Sequence, residues 1–245
     1  MKQALFALAV LLVLAPTAHG QQPADKAPRL RALLAPRIEA GLSTQITALV
    51  ADLTVRPGDS FKKGDVLIRF DCAMQRAQLQ KTQADFAAAR KTVLVKRDLA
   101  RLNSAGELEV EMAEAAVAKA EADVAITSAV VSYCVLKAPF DGRVVDVKVW
   151  PHEGAQPGQK LLQVIDDSEL EAEVIVPSSW LKWLKTGIVF TVRIDETGDS
   201  YSAVVTRLGS RVDAVSQSIK IYGTIKNRPS ELVAGMSGEA SFDRP

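Results

Sequence analysis

The chain reads as a mainly β protein with an inserted α-helical hairpin, and three observations lead there. Two short segments of alternating apolar and polar residues resemble each other at a constant offset of 94 residues. The stretch between them is rich in strong helix formers, and the chain beyond the second copy returns to period-two alternation. The expected architecture is a small β-unit split into two halves, an antiparallel coiled-coil hairpin spliced between the halves, and a C-terminal β-barrel.

Composition bounds the function. With 245 residues, 24% charged, 48% hydrophobic and 5% aromatic, the chain is neither a disordered polymer nor a polytopic membrane protein, whose spans need about 20 apolar residues each. Its 30 basic and 29 acidic residues leave a formal charge of +1, so no basic face is implied and nucleic-acid binding has no compositional support. With two Cys and two His, a four-ligand zinc site or a cysteine-dense scaffold is not expected.

Residues 1–20 carry one early cation at Lys2, an apolar run from Ala4 to Ala15, then Pro16 and the small residues Ala18 and Gly20. This is the pattern of a cleaved secretory signal, giving a mature chain from Gln21 in an exported, oxidising compartment. No Cys follows the run to accept a lipid. Residues 21–34 read as a tether.

The first half-unit spans 35–71. Val55, Pro57, Asp59, Gly64, Leu67 and Ile68 align with Val149, Pro151, Glu153, Gly158, Leu161 and Leu162 of the second, at 134–167. A half-unit of about 25 residues buries too little apolar surface to stand alone, so the two copies are expected to pack into one core.

Between them, residues 72–133 form the hairpin. From Cys72 to Ser132 there is no proline and one glycine, Gly106. Cys72, Leu79, Phe86, Val93 and Ala100 recur every seventh residue, while Leu108, Met112, Ala115, Lys119, Ala122, Ile126, Ala129 and Tyr133 alternate steps of four and three. Both are coiled-coil periods. Asn103-Ser104-Ala105-Gly106 breaks the pattern, which predicts two helices folding back on each other over roughly 40 Å with the tip at 103–106. Cys72 and Cys134 lie equally far along the chain from Asn103, so antiparallel helices bring them together at the base. There they form a disulfide or stay as two buried thiols.

In residues 168–245, Leu170–Val176, Ile188–Ile194 and Tyr201–Leu208 alternate as strands, and several short strands suggest a barrel. Pro177–Lys185 reads as a short helix carrying Trp180 and Trp183, for which core packing is favoured over a partner-binding patch.

Two Val-x-Pro…Gly…Leu half-motifs flanking an Ala-rich hairpin, followed by Ala138-Pro139-Phe140-Asp141-Gly142, resemble the HlyD-type membrane fusion proteins, or periplasmic adaptor proteins, over Ala35 to Phe242. Leu232-Val233-Ala234-Gly235-Met236 resembles that family's closing turn. The resemblance implies a split lipoyl-like (biotinyl-lipoyl) β-domain, a hairpin reaching an outer-membrane channel, and a barrel that contacts an inner-membrane transporter, with Trp180 and Trp183 as the candidate transporter-facing patch. It also implies a non-catalytic role in efflux or secretion, a periplasmic location and a homo-oligomer. Channel-docking members usually carry Arg-Leu-x-x-Leu and a later Ser at the tip. Here Leu99 and Leu102 match the leucines, Asp98 stands in the arginine place beside Arg97, and Glu109 replaces the serine. Arg97, Leu99, Arg101, Leu102 and Glu109 are therefore the candidate partner contacts.

Other functions are weaker. The lysine that carries a prosthetic group in lipoyl carriers has no counterpart, because the helical insertion replaces that turn, and no cofactor is expected. His152 is the one histidine after the signal, and spacing flags no Ser or Cys nucleophile, so an enzyme is not expected. Cys72, Cys134, Met74 and Met112 do not converge on a metal site, since Met74 belongs at the base and Met112 near the tip. The alternative with most weight is an exported scaffold of a membrane protease or secretion apparatus.

Overall fold

Alternating burial along the chain produces twelve strands and two long helices in the computed structural model, which describes residues 30–226 and 229–243. The expected signal, 1–20, and residues 21–29 of the expected tether lie outside the described residues. Residues 30–34, also assigned to the tether, are instead the start of strand β1 (Leu30–Ser43). Ala32 and Leu34 are buried there, 3% and 1% exposed, which anchors this stretch in a core.

The first β-unit is built from the C-terminal part of β1, β2 (Ala48–Leu53), β3 (Ser60–Phe61), β4 (Val66–Phe70), β5 (Val135–Lys137), β6 (Gly142–Val147), β7 (Gly154–Ala155) and the start of β8 (Lys160–Pro177). The sequence repeat becomes a pseudo-dyad. β2 pairs with β4 through Val50↔Phe70 and Leu53↔Ile68, and β6 pairs with β8 through Val144↔Val164 and Val147↔Leu162, each with a register shift at the equivalent place. The short pairings β3–β6 and β2–β7 are likewise equivalent. So are β4–β5 and β8–β1, which extends the repeat to 41–70 and 135–164.

Each copy completes the other. The Gly58 N–H donates to the Val144 carbonyl and the His152 N–H to that of Val50, both at 2.8 Å, and the Gly64 and Gly158 N–H groups donate to Ala138 and Thr44 carbonyls, both at 2.9 Å. Gly58 and His152 occupy equivalent left-handed positions, φ 92° and 69°. A side chain is unfavourable there. Asp59 and Glu153 carboxylates accept from the Arg56 and Trp150 N–H groups, closing the same turn twice. Inside, Val50, Leu67, Ile68 and Phe70 face Val144, Leu161, Leu162 and Val164 in one buried cluster. Full burial of each such side chain is worth about 1.5–3 kcal/mol.

The Ala-Pro-Phe-Asp-Gly run is a clasp between the copies. The Ala138 N–H donates to the Asp65 carbonyl at 2.9 Å, and the Asp141 carboxylate accepts from the Lys63 N–H at 2.6 Å. Gly142 is required by space: a Cβ there would stand 2.0 Å from the Ile165 carbonyl oxygen.

The second β-unit uses the N-terminal part of β1, the remainder of β8, β9 (Val189–Ile194), β10 (Ser200–Asp213), β11 (Ser218–Ile225) and β12 (Ser237–Ser241). Its pairing order β1-β12-β9-β10-β11-β8 returns to β1, so the antiparallel sheet curls and closes on itself. A 3-10 turn, Ser178–Lys182, lays Trp180 and Leu184 over the interior, where Val174, Phe190, Val192, Ile194, Ile221 and Phe242 are buried. Because β1 and β8 run through both units, a two-stranded ribbon joins them. It is interrupted between Pro36 and Ile38, where Pro36 pairs with Leu170 but Ile38 with Asp166. At this waist the Asp166 side chain is buried. Burial acts to raise its pKa, but hydrogen bonds from Ser168 and the nearby Arg37 outweigh that and hold the carboxyl below the ordinary range.

The hairpin consists of α1 (Ala73–Arg101) and α2 (Glu107–Ser132). Cys72, Leu79, Phe86, Val93 and Ala100 of the first heptad line face inward, with Thr82 also buried. The line expected on the second helix is the wrong one. Leu108, Met112 and Ile126 are 68%, 66% and 63% exposed, and Ala115, Lys119, Ala122, Ala129 and Tyr133 are exposed with them. The inward seam is Val110, Ala113, Val117, Ala120, Val124, Thr127 and Val131. α2 carries apolar residues on both sides, so periodicity alone offers two frames. The Thr82–Thr127 hydroxyl contact at 2.8 Å and the position of Cys134 fit only the second.

Gly142→Ala is expected to lower stability by about 2–3 kcal/mol through this backbone clash, whereas Gly154→Ala, with open space around it, is expected to stay within about 0.5 kcal/mol. Urea unfolding of both variants measures the contrast.

Candidate functional site

The hairpin is the part of the molecule whose residues project away from both cores. Its base is closed covalently: Cys72, immediately before α1, and Cys134, just after α2, are joined in a disulfide with Cα atoms 6.0 Å apart, both buried. The Phe70 N–H donates to the Cys134 carbonyl at 2.9 Å, tying the clamp to the first β-unit.

The tip is a compact reversal. α1 ends with Asn103 in the left-handed region, φ 56°, a conformation Asn tolerates better than most residues. The Asn103 and Ser104 N–H groups then donate to the Ala100 and Leu99 carbonyls at 2.9 and 2.8 Å, a Schellman-type ending that satisfies the last carbonyls of the helix. Gly106 caps α2 in an extended conformation, and Glu107 and Glu109 sit in its first turn, where negative charge complements the helix dipole.

The polar groups expected to meet a partner are largely engaged within the hairpin. Arg97 directs Nε and Nη2 to one Glu114 oxygen at 3.0 and 2.7 Å. Glu109 is paired with Lys96, and Arg101 with Asp98. Leu99 is half-buried, and Leu102 is 73% exposed. The tip therefore presents Leu102 and Leu108 among charges most of which are already paired. Exposed pairs of this kind are worth well under 1 kcal/mol each to stability.

Trp180 and Trp183 take the core position favoured from sequence and do not form a transporter-facing surface patch. Trp180 is 5% exposed, 5.0 Å from the Trp183 ring and edge-on to Phe242 at 5.5 Å. It fills the second core, and Trp183 is half-buried beside it. An exposed tryptophan lies elsewhere: Trp150, 73% exposed, on the turn of the second half-unit. Its position before Pro151 marked it as a turn residue, but nothing in the spacing marked its exposure. His152 is an exposed turn residue equivalent to Gly58. Met74 stands by the base and Met112 toward the tip, and the described residues contain no group of three or more His, Cys, Asp or Glu able to hold a metal ion. No described helix is long and apolar enough to cross a membrane.

A split β-unit carrying a helical hairpin and a curled second sheet is the fold of the membrane fusion and periplasmic adaptor proteins, and this chain has that fold. A chimera of MacA containing the Pseudomonas aeruginosa MexA α-hairpin domain superposes with a TM-score of 0.77 at 21% identity, covering 88% of this chain and 80% of that one. The membrane fusion protein Spr0693 of Streptococcus pneumoniae gives 0.73 at 14% identity, covering 89% and 100%. No family model matches. In sequence, an uncharacterized protein of Haemophilus influenzae is 28% identical over 224 residues, 90% of this chain and 59% of that protein. Nodulation protein NolF of Rhizobium meliloti is 24% identical over 225 residues, 85% and 61%. The chain thus spans about three fifths of the length of these curated relatives.

Thiol titration of the denatured, unreduced protein is expected to find no free sulfhydryl. Reduction, or the Cys72→Ala/Cys134→Ala pair, should cost up to ~4 kcal/mol of stability for a loop of this length. Two titratable thiols would contradict the clamp.

Proposed function

We propose that the chain is a non-catalytic periplasmic adaptor for efflux or secretion, linking an inner-membrane transporter to an outer-membrane channel. In this reading the first β-unit is the lipoyl-like domain, the closed sheet is the β-barrel domain that grips the transporter, and copies of the chain assemble around a common axis. The observation that carries it is the insertion point: a rigid, clamped hairpin leaves the β-unit at the bend between two interlocked halves, where a carrier domain would expose a modified lysine. The work is geometric. The β-units fix the base, the paired helices supply reach, and the turn at Leu102–Gly106 meets the partner.

A second reading, an exported scaffold of another membrane complex, is favoured by one feature. The tip carries Glu109 where channel-docking members have serine, and Arg97 and Glu109 are engaged by Glu114 and Lys96. Docking through Leu102 and the turn then differs from the usual tip contact.

A photo-crosslinker placed at Asn103 or Gly106 in intact cells, followed by identification of the adducts, tests the role. An outer-membrane channel among the adducts is the expected result, capture of a membrane protease or secretion subunit favours the second reading, and adducts confined to cytosolic proteins would sink both.

A further inference from the structure

Both cysteines of the clamp lie in a core that neither half of the β-unit makes alone. Cys72 and Cys134 are buried in the same cluster as Val50 and Phe70 of the first copy and Val144 and Val164 of the second. The backbone beside them is pinned from both sides: the Asp71 N–H donates to the Leu49 carbonyl and the Phe70 N–H to that of Cys134, both at 2.9 Å, and β4 pairs with β5 through Arg69↔Val135. Making a disulfide by exchange needs an incoming sulfur to reach the attacking thiolate, and the closed unit shields both positions. The contacts that close the unit are distant in sequence, as in Leu42↔Leu162. Those of the hairpin are local near the tip, Arg97 with Glu114, and reach Thr82 with Thr127 further down. Contacts of short separation form sooner, so the helices can zip from the tip toward the cysteines before any strand of one half meets the other.

We infer that the Cys72–Cys134 bond is made by exchange with a disulfide oxidant while the chain is part-folded, after the hairpin has paired and before the two half-units close over it. One cysteine thiolate attacks the oxidant's disulfide, forms a mixed disulfide and releases one of the oxidant's sulfurs as a thiol. The thiolate of the other cysteine then attacks the mixed disulfide at the chain's own sulfur and releases the second. The chain gives up two electrons and two protons, and the oxidant's disulfide becomes two thiols. The sequence has two cysteines, so the exchange has one intramolecular product and calls for oxidation with no isomerisation step. Closure of the β-unit afterwards seals the bond away from reductants. This rests on the exported setting of the adaptor reading and on nothing about its partners.

The test dilutes the reduced, denatured full chain into refolding buffer and adds oxidised glutathione at once or after increasing delays, with acid quenching and alkylation to count free thiols by mass. Oxidation is expected to be fast when the oxidant is present from the start and about a hundredfold slower or more once circular dichroism shows refolding to be complete, because the thiols are then reached only through local opening. A reduced chain that stays unfolded until the oxidant arrives gives the same order, since closure then waits for the bond. Ala88→Pro/Ala116→Pro, which breaks both helices at exposed positions, should slow oxidation of the freshly diluted chain several-fold. Repeating the series with an oxidised dithiol oxidase of the thioredoxin type at equal disulfide concentration separates the sources: a faster reaction assigns the bond to a protein oxidant, an equal one to a small disulfide. A reduced chain that folds and is still oxidised at the rate of the unfolded one would overturn the inference, as would helix-broken chains that oxidise as fast as the original. The adaptor reading is untouched by either result, because it stands or falls on what the tip captures in cells.

Discussion

Reciprocal closure of two half-units governs the molecule. Neither copy satisfies all of its own turns: Gly58 and Gly64 find their acceptors in the second copy, and His152 and Gly158 find theirs in the first. The halves therefore fold together or not at all, although more than sixty residues separate Phe70 from Val135. That separation would be a heavy entropic load on a flexible loop. Two helices lighten it by returning the chain to its starting point, and the Cys72–Cys134 bond makes the return permanent. Fold and reach thus have one origin, since the insertion can project only because its ends are held by a core that requires both of them.

Much of this was legible in the residues. The offset of 94 showed through six matched pairs, and the structure extends it across whole strands, including equivalent bulges at Val50–Asp52 and Val144–Asp146. The first helix had one apolar line and its frame was readable. The second was misread because Leu108, Met112 and Ile126 form as good a stripe as the buried one. The signal that would have settled it was present: Val110, Val117, Val124 and Val131 recur every seventh residue, in step with a frame that ends at Cys134. Leu30–Leu34 was lost to the tether because five residues carry too little pattern to reveal a strand whose partners, β8 and β12, lie more than 130 residues away. For Trp180 the favoured core reading is the one its burial bears out, although aromatic pairs look the same in sequence whether they fill a core or face a partner.

The misread stripe and the charge asymmetry have a common cause. A hairpin that only had to stand in water would bury one face of each helix and cover the rest with mixed charge. Here α1 carries a positive excess but leaves Met74, Leu94 and Val95 exposed, and α2 keeps a longer apolar line outside with acids around it. The surplus of apolar surface made the frame ambiguous, and it leaves an apolar stripe exposed on the second helix.

The ribbon of β1 and β8 turns the waist at Asp166 into a fulcrum. Two strands run through the connection between the curled sheet and the clamped rod, and their pairing is interrupted at the mismatch between Pro36 and Ile38. A few degrees of bend at that point sweep the distant end of the rod through a far larger arc than the pivot itself travels. Leverage of that kind lets a subunit gripped at one end aim the other.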